Sequence, residues 1–434
     1  MPGPGTVLAQ PSGAAISGSQ KATLSLEQFI TLAIQTHPSV ASKRAGLNAA
    51  EAEIQAARYQ YYPTPSLQLR QNRSERSTVL ALQQPLWAGG RIDAGLDAAS
   101  ARANAASASI YEAQTALAFR ATTVWQAWQQ ARGRSAAGAA GIDLLSGYAQ
   151  SVARRIQAGA AGEGDRALVD ARLAQAQGDL AAARASEHAS LAQLSQMVGQ
   201  QLRSQDLIDV APGGNDRTNP SFSGDHVLAL EALLAQALKV SPALHRARAE
   251  IDSASHEITQ KRAAQWPTLN LRAEHQRSNG TTSALLPNET RLLLVLDYSP
   301  GAGLSAGANA DAASARLIGL ADNLDAAQRE LVEKVSADFE EHQSSLSRLA
   351  DLQRTLKANA DVLASYERLF VAGKRGWLEV LNAARELTQA QTALADVQAQ
   401  YQASVTRMRL HAGELLGADA TAQLTPQPTP QRTP

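Results

Sequence analysis

Two hydrophobic rhythms alternate along this chain. Leu26, Phe29, Ile30, Ala33 and Ile34 recur at helical spacing, as do Leu230, Leu233, Leu234, Ala237 and Leu238. Ser25 and Gln28 have the spacing of a capping box. Pro38 and Pro242 break these helices, which then resume to about residues 60 and 264. The period next drops to two. Between Thr64 and Asn72, Leu67 and Leu69 alternate with Gln68 and Arg70, and Thr78 to Gln84 gives a return run carrying Leu80 and Leu82. Further on, Leu269, Leu271 and Ala273 alternate with Asn270, Arg272 and Glu274, and Leu292, Leu294, Leu296 and Tyr298 supply the return. The pattern predicts β-hairpins at about 64–86 and about 268–299. Strands of about nine residues are long enough to cross a bilayer when tilted.

A glycine break follows each hairpin, at Trp87-Ala88-Gly89-Gly90 and at Pro300-Gly301-Ala302-Gly303. Helical stretches then run from about 91 to 157 and from about 308 to 371, each roughly 100 Å long at the α-helical rise. Val335, His342, Leu349, Leu356, Leu363 and Phe370 stand at seven-residue intervals. After a turn at Gly373 and Gly376 the heptad restarts with Val380, Leu387, Leu394, Tyr401, Met408 and Leu415, a period that implies left-handed supercoiling. The first half is poorer, with Leu173, Leu180 and Leu194 interrupted by Glu187.

The halves are copies of each other. Pro38 and Pro242, like Pro63 and Pro267, stand 204 apart (242 − 38; 267 − 63). Gly159 and Gly373, like Leu173 and Leu387, stand 214 apart (373 − 159; 387 − 173), so about ten residues were inserted at the second hairpin tip. The expected organisation is a leader over 1–22, a first copy over 23–210, a linker over 211–225, a second copy over 226–417 and a proline-rich tail over 418–434. The leader and the tail are expected to be disordered.

Composition narrows the class. Formal net charge is zero over 434 residues, so no nucleic-acid partner is expected. The absence of cysteine excludes disulfides, thiolate metal sites and a cysteine nucleophile, and no lipid-modified N-terminal cysteine is expected. No apolar run is long enough for a transmembrane helix. Two-stranded hairpins are not stable alone, and four strands cannot close a barrel. Such strands, joined to such long helices, call for assembly with further copies.

The chain resembles the TolC family of bacterial outer-membrane channels. The likeness rests on His37-Pro38 and Ser241-Pro242, on Tyr62-Pro63 and Trp266-Pro267 before the strands, and on Pro85-Leu86-Trp87-Ala88-Gly89-Gly90-Arg91 after the first hairpin. It continues at Arg155-Ile156-Gln157-Ala158-Gly159 and from Val371-Ala372-Gly373 through Glu379-Val380-Leu381, covering roughly residues 24–417. The resemblance implies a mainly α fold with a small β part, a duplicated coiled-coil barrel of long helices. Four strands from each of three chains would form one 12-stranded transmembrane β-barrel in a homotrimer. It implies an outer-membrane site extending into the periplasm, contact with outer-membrane lipid, and work with a periplasmic adaptor and an inner-membrane ABC or proton-driven transporter. No cofactor is implied. Cargo would be protein, as in type I secretion, or small molecules and metals, with the polar N-terminal stretch favouring secretion.

Carried over position by position, the resemblance also implies a periplasmic gate. Arg375 matches a tip arginine that pairs with an aspartate of the other copy, here Asp165. Glu379 matches an acidic position facing the pore, while Asn382 replaces a second one. Phe370 replaces a tip tyrosine, so that a hydroxyl-based bond is lost. The turns around Gly159, Gly162, Gly373, Lys374 and Gly376 would dock the adaptor, and the leucines named above would line the membrane strands. The charged tip and cleaner heptads mark the second copy as the expected moving part.

Other signals lead elsewhere but carry less. Gly303-Leu304-Ser305-Ala306-Gly307 is a G-x-S-x-G with His342 and His411 downstream, yet a hydrolase needs further strands after it, and none is predicted. Trp125 and Trp128 lie mid-helix and read as packing residues, whereas Trp87 and Tyr298 at strand ends suit a membrane interface. A soluble coiled-coil scaffold is the competing class, and it predicts no strands.

Overall fold

A computed structural model describes residues 23–71, 75–208, 226–280, 289–299, 301–302 and 305–414. The expected leader, the whole linker, the tail, Leu415 and the inserted tip at 281–288 lie outside the described residues. The first copy contains α1 (Leu26–Thr36), α2 (Pro38–Tyr59), β1 (Thr64–Gln71), β2 (Glu75–Trp87), α3 (Arg91–Gln157) and α4 (Glu163–Val198). The second repeats the order with α5 (His226–Val240), α6 (Pro242–Ala263), β3 (Thr268–Gly280), β4 (Glu289–Asp297), α7 (Ala306–Val371) and α8 (Trp377–His411). These strands are what a soluble coiled-coil scaffold would lack.

Local chemistry accounts for the helix boundaries. Ser25 Oγ accepts from the Gln28 backbone at 3.3 Å, and Gln28 Oε1 accepts from the Ser25 backbone at 3.0 Å, closing the capping box. Pro38 and Pro242 occupy first helical positions, where the missing N–H costs nothing. The two long helices have 67 and 66 residues, hence roughly 100 Å each.

Packing joins the copies. α3 lies against α2 and α4 of its own copy and also against α6 and α8 of the other, while α7 lies against α6 and α8. One core gathers Phe29, Trp125, Trp128, Leu194 and Met197, so both mid-helix tryptophans are packing residues. A second, near the helix turns, takes Val152 and Val169 from the first copy and Leu363, Trp377 and Val380 from the second. Along the heptads Val335, His342, Leu363, Val380 and Met408 are buried, whereas Leu349, Leu356, Leu387 and Leu394 remain half-buried. Glu187, which interrupts the first copy's heptad, accepts from Ser204 Oγ at 2.6 Å, and Trp128 Nε1 donates to the same hydroxyl at 3.3 Å.

The strands form one antiparallel sheet in the order β1-β2-β3-β4, so the hairpins of the two copies meet along β2 and β3. β1 and β4 are its open edges, each with a row of backbone groups available to another strand.

Candidate functional site

Register decides the faces of the sheet. Residues directly opposed across an antiparallel pair project to the same side. Leu67 opposes Leu80, Leu82 opposes Ala273, Ala273 opposes Leu292, Leu271 opposes Leu294, and Leu269 opposes Leu296. With the alternation along each strand, this places Leu67, Leu69, Leu80, Leu82, Leu269, Leu271, Leu292, Leu294 and Leu296 on one face. That face is open in the single chain, with Leu69 73% and Leu292 70% exposed. Thr78, Gln84, His275, Arg277 and Thr290 interrupt it, and His275 Nδ1 lies 2.9 Å from Thr290 Oγ1.

The opposite face carries Gln68, Arg70, Asn270, Arg272, Glu274 and Arg291, interspersed with Val79, Ala81, Leu293 and Val295. Glu274 sits between Arg272 at 3.4 Å and Arg291 at 3.5 Å, and Asn270 donates to Asp297 at 2.9 Å. At the helix end of the sheet stand exposed Tyr59, Tyr62, Trp87, Trp266 and Tyr298. Trp87 and Tyr298 were legible as strand-end aromatics; Tyr59, Tyr62 and Trp266 join them because each helix ends just before its strand. Gly89 has φ +59°, and a Cβ there would approach Trp266 Cβ to 3.2 Å. Glycine therefore permits both the turn and the close packing.

The helix turns are built alike in both copies. Gly159 and Gly373 each adopt φ +70° just past a helix. Ala160 N–H donates to Arg155 O and Gly159 N–H to Ile156 O, and Lys374 N–H donates to Leu369 O and Gly373 N–H to Phe370 O. These are two Schellman motifs. Gly162 and Gly376 then cap α4 and α8 with extended backbone.

Both copies carry charges around these turns, Arg155, Glu163, Asp165 and Arg166 in the first and Lys374, Arg375 and Glu379 in the second. Arg375 donates to Glu379 and stacks 4.6 Å over the Tyr366 ring. Glu379 also accepts from the Gly376 backbone N–H at 3.0 Å. That bond first, and Arg375 second, holds its carboxyl below the usual carboxylate range. The pairing of Arg375 with Asp165 is not made within one chain: Asp165 lies in the first turn of α4, and Arg375 takes its own i+4 carboxylate. An i,i+4 partner is reached without bridging two helical hairpins. Lys374 is exposed and Asn382 half-buried on α8.

Two cross-copy contacts were not legible in the chain. Tyr148 of α3 donates its hydroxyl to Glu367 of α7, and the Tyr148 ring meets Trp377 edge-on at 5.2 Å. Burial, and then the Glu367 bond, push the Tyr148 phenol up. Phe370 forfeits a hydroxyl but lies under the Arg155 guanidinium at 4.4 Å and 4.9 Å from Trp377. The only sequence signal was that aromatic residues cluster near the glycine turns. Ser305, at the start of α7, is some 37 residues up one continuous helix from His342, about 55 Å at the helical rise. No hydrolase triad forms from such a pair.

A sheet with one apolar face and open edges, continuous with duplicated long-helix hairpins, is an architecture shared with solved outer-membrane channels. The chain belongs to the outer membrane efflux protein family, whose model matches residues 29–200 and 233–414. It is 31% identical over 287 residues to Protein CyaE of Bordetella pertussis, covering 62% of this chain and 58% of that one. It is 26% identical over 273 residues to the alkaline protease secretion protein AprF of Pseudomonas aeruginosa, covering 61% and 55%. The chain thus spans less than two thirds of the length of these two relatives. The cobalt-zinc-cadmium resistance protein CzcC of Cupriavidus metallidurans is 27% identical over 413 residues, covering 89% and 90%. Among solved structures, the outer-membrane channel OprN superposes with a TM-score of 0.76 at 17% identity, covering 90% of each chain.

Proposed function

We propose that three copies of this chain assemble into a passive export duct, with the sheet in the outer membrane and the long helices forming a periplasmic tunnel. The observation that carries this is the register that places nine leucines on one face of a sheet whose other face is polar. Lipid satisfies the first face and a water-filled lumen the second. Neighbouring chains pair with the open edges β1 and β4, and the exposed aromatics at the sheet base sit at the membrane interface. A passive duct needs an outside source of energy, so an inner-membrane ABC or proton-driven transporter drives transport through a periplasmic adaptor that docks at the turns around Gly159, Gly162, Gly373, Lys374 and Gly376. The protein acts as a channel, not an enzyme.

Protein secretion is the first cargo reading, supported by similarity to a protein named for alkaline protease secretion. Metal efflux is the second, supported by near full-length similarity to a cobalt-zinc-cadmium resistance protein. The gate lies at the helix turns, where three copies of ionised Glu379 focus negative potential on the passage. The test is planar-bilayer conductance of the purified protein. Trimers that conduct, with higher conductance for Arg375→Ala, support duct and gate. A monomer that inserts in no membrane overturns the duct, and an unchanged Arg375→Ala conductance overturns this gate.

A further inference from the structure

The leucine face of the sheet does not stay apolar to its far end. Away from the helices it closes on Thr78, His275, Arg277 and Thr290, which the register sets side by side: Thr78 opposes Arg277, Leu80 opposes His275, and His275 opposes Thr290. All four keep the alternation of the leucines and so share their side of the sheet. Arg277, His275 and Thr290 are exposed. Arg76 holds the next register position of this face, opposite Asn279.

The cations of the two faces differ in their company. On the polar face Arg272 and Arg291 stand 3.4 and 3.5 Å from Glu274. On the leucine face no register position among the described residues is an aspartate or a glutamate, and Arg277 has no ion pair among them. Its height on the sheet is set by strand geometry. Trp87 pairs with Leu269 at the sheet base, and Arg277 lies eight residues further along β3 (277 − 269). Eight residues of strand span about 27 Å, or about 20 Å along a barrel axis at a tilt of about 40°. The apolar band of an outer-membrane barrel is about 25 Å tall. Arg277 therefore stands where hydrocarbon gives way to headgroups, and its long side chain covers the remaining distance.

We propose that this outer rim of the leucine face, centred on Arg277, binds the phosphate groups of the glycolipid in the outer leaflet of the bacterial outer membrane. A guanidinium offers a phosphate two parallel charge-assisted hydrogen bonds. A cation at the end of an apolar face without a carboxylate takes its counter-ion from the lipid that covers that face. The site rests on the membrane orientation proposed above, and three chains carry three such sites around one barrel.

The test uses the full-length trimer in detergent, with bis-phosphorylated lipid A as the probe and its dephosphorylated form as the control, read by native mass spectrometry. Arg277→Gln is compared with Arg70→Gln. Arg70 opposes Ser77, which opposes Ser278, so Arg70 stands within one residue of the height of Arg277 but on the polar face. Wild-type trimers are expected to retain the phosphorylated lipid in preference to the control. Arg277→Gln is expected to weaken that retention about tenfold, Arg277→Lys to recover part of it, and Arg70→Gln to leave it unchanged. Equal retention of both lipids, no loss in Arg277→Gln, or an equal loss in Arg70→Gln overturns the proposal. Displacement of lipid A by millimolar inorganic phosphate overturns it as well, since the site then takes free anions. Should Arg277→Gln trimers fail to assemble, wild-type retention is read against salt: weakening as salt rises is expected, and retention insensitive to salt overturns the contact. A chain that is monomeric by analytical ultracentrifugation defeats the duct itself, whereas a conducting trimer without lipid preference defeats only this site.

Discussion

Tyr148 in the first copy donates a hydroxyl hydrogen bond to Glu367 in the second, across the seam where the long helices approach their turns. Neither residue matters alone: the bond spans 219 positions of sequence. A hydrogen bond to a charged group contributes roughly 1.5–3 kcal/mol, and less where the carboxylate is partly wet. Tyr148→Phe keeps the ring against Trp377 and removes only the bond. About 1 kcal/mol of stability is expected to go, read as a lower melting temperature of the detergent-solubilised protein. An unchanged melt for Tyr148→Phe would show that the bond carries no load.

Gly133 is a steric requirement. Adding a single methyl there puts a carbon 2.5 Å from Ala395 Cβ, and helix backbones on both sides oppose relief. Gly133→Ala is expected to destabilise by about 1–3 kcal/mol through overpacking. Gly147→Ala is the control. It lies on the same helix with open space around it, and is expected to stabilise by about 0.5–1 kcal/mol from propensity alone. Chemical denaturation of the two variants side by side checks the sign of each effect.

His342 gives the fold a pH dependence. Its imidazole is buried at a heptad position, stacked on Tyr401 at 5.3 Å with Nδ1 3.1 Å from Ser404 Oγ. Burial pushes its pKa below the ordinary 6.5. The unfolded chain then binds the proton more readily than the folded one. The stabilisation is complete above pH 6.5 and is lost as pH falls from there through the folded value. The contribution of Glu379 is lost only below its ordinary 4.5, a separate window. The melting temperature is expected to drop between about pH 7 and 5, and His342→Gln should flatten that drop. A wild-type profile level across this range would contradict the assignment.

Adjacent residues of β4 separate the two faces of the sheet. Leu294 is 66% exposed on the leucine face, whereas Leu293 faces the polar side opposite Arg272. A lipid-facing arginine near the bilayer midplane costs about 2–4 kcal/mol, and a lumen-facing one far less. Leu294→Arg is expected to reduce the amount of trimer recovered from outer membranes, and Leu293→Arg to leave it near wild type. Equal losses would argue against the proposed orientation.

The sequence alone determined everything that depends on near neighbours in the chain. Period two against period three and a half separated strands from helices, prolines and glycines marked the breaks, and the two constant offsets exposed the duplication. Even the faces of the strands were legible, because alternation is a property of one strand. Only the tertiary structure decided which strand lies beside which. The β2–β3 pairing gathers four separate leucine stripes into one face, and register between distant strands depends on the whole fold. The same holds at the helix turns. Arg375 could be matched to a partner by analogy, but its carboxylate is set by reach, and Glu379 one turn away is nearer than Asp165 on another hairpin. Contacts such as Tyr148–Glu367 and Arg134–Asp396 leave no trace in local patterning, since each half is an ordinary surface residue until the two copies pack.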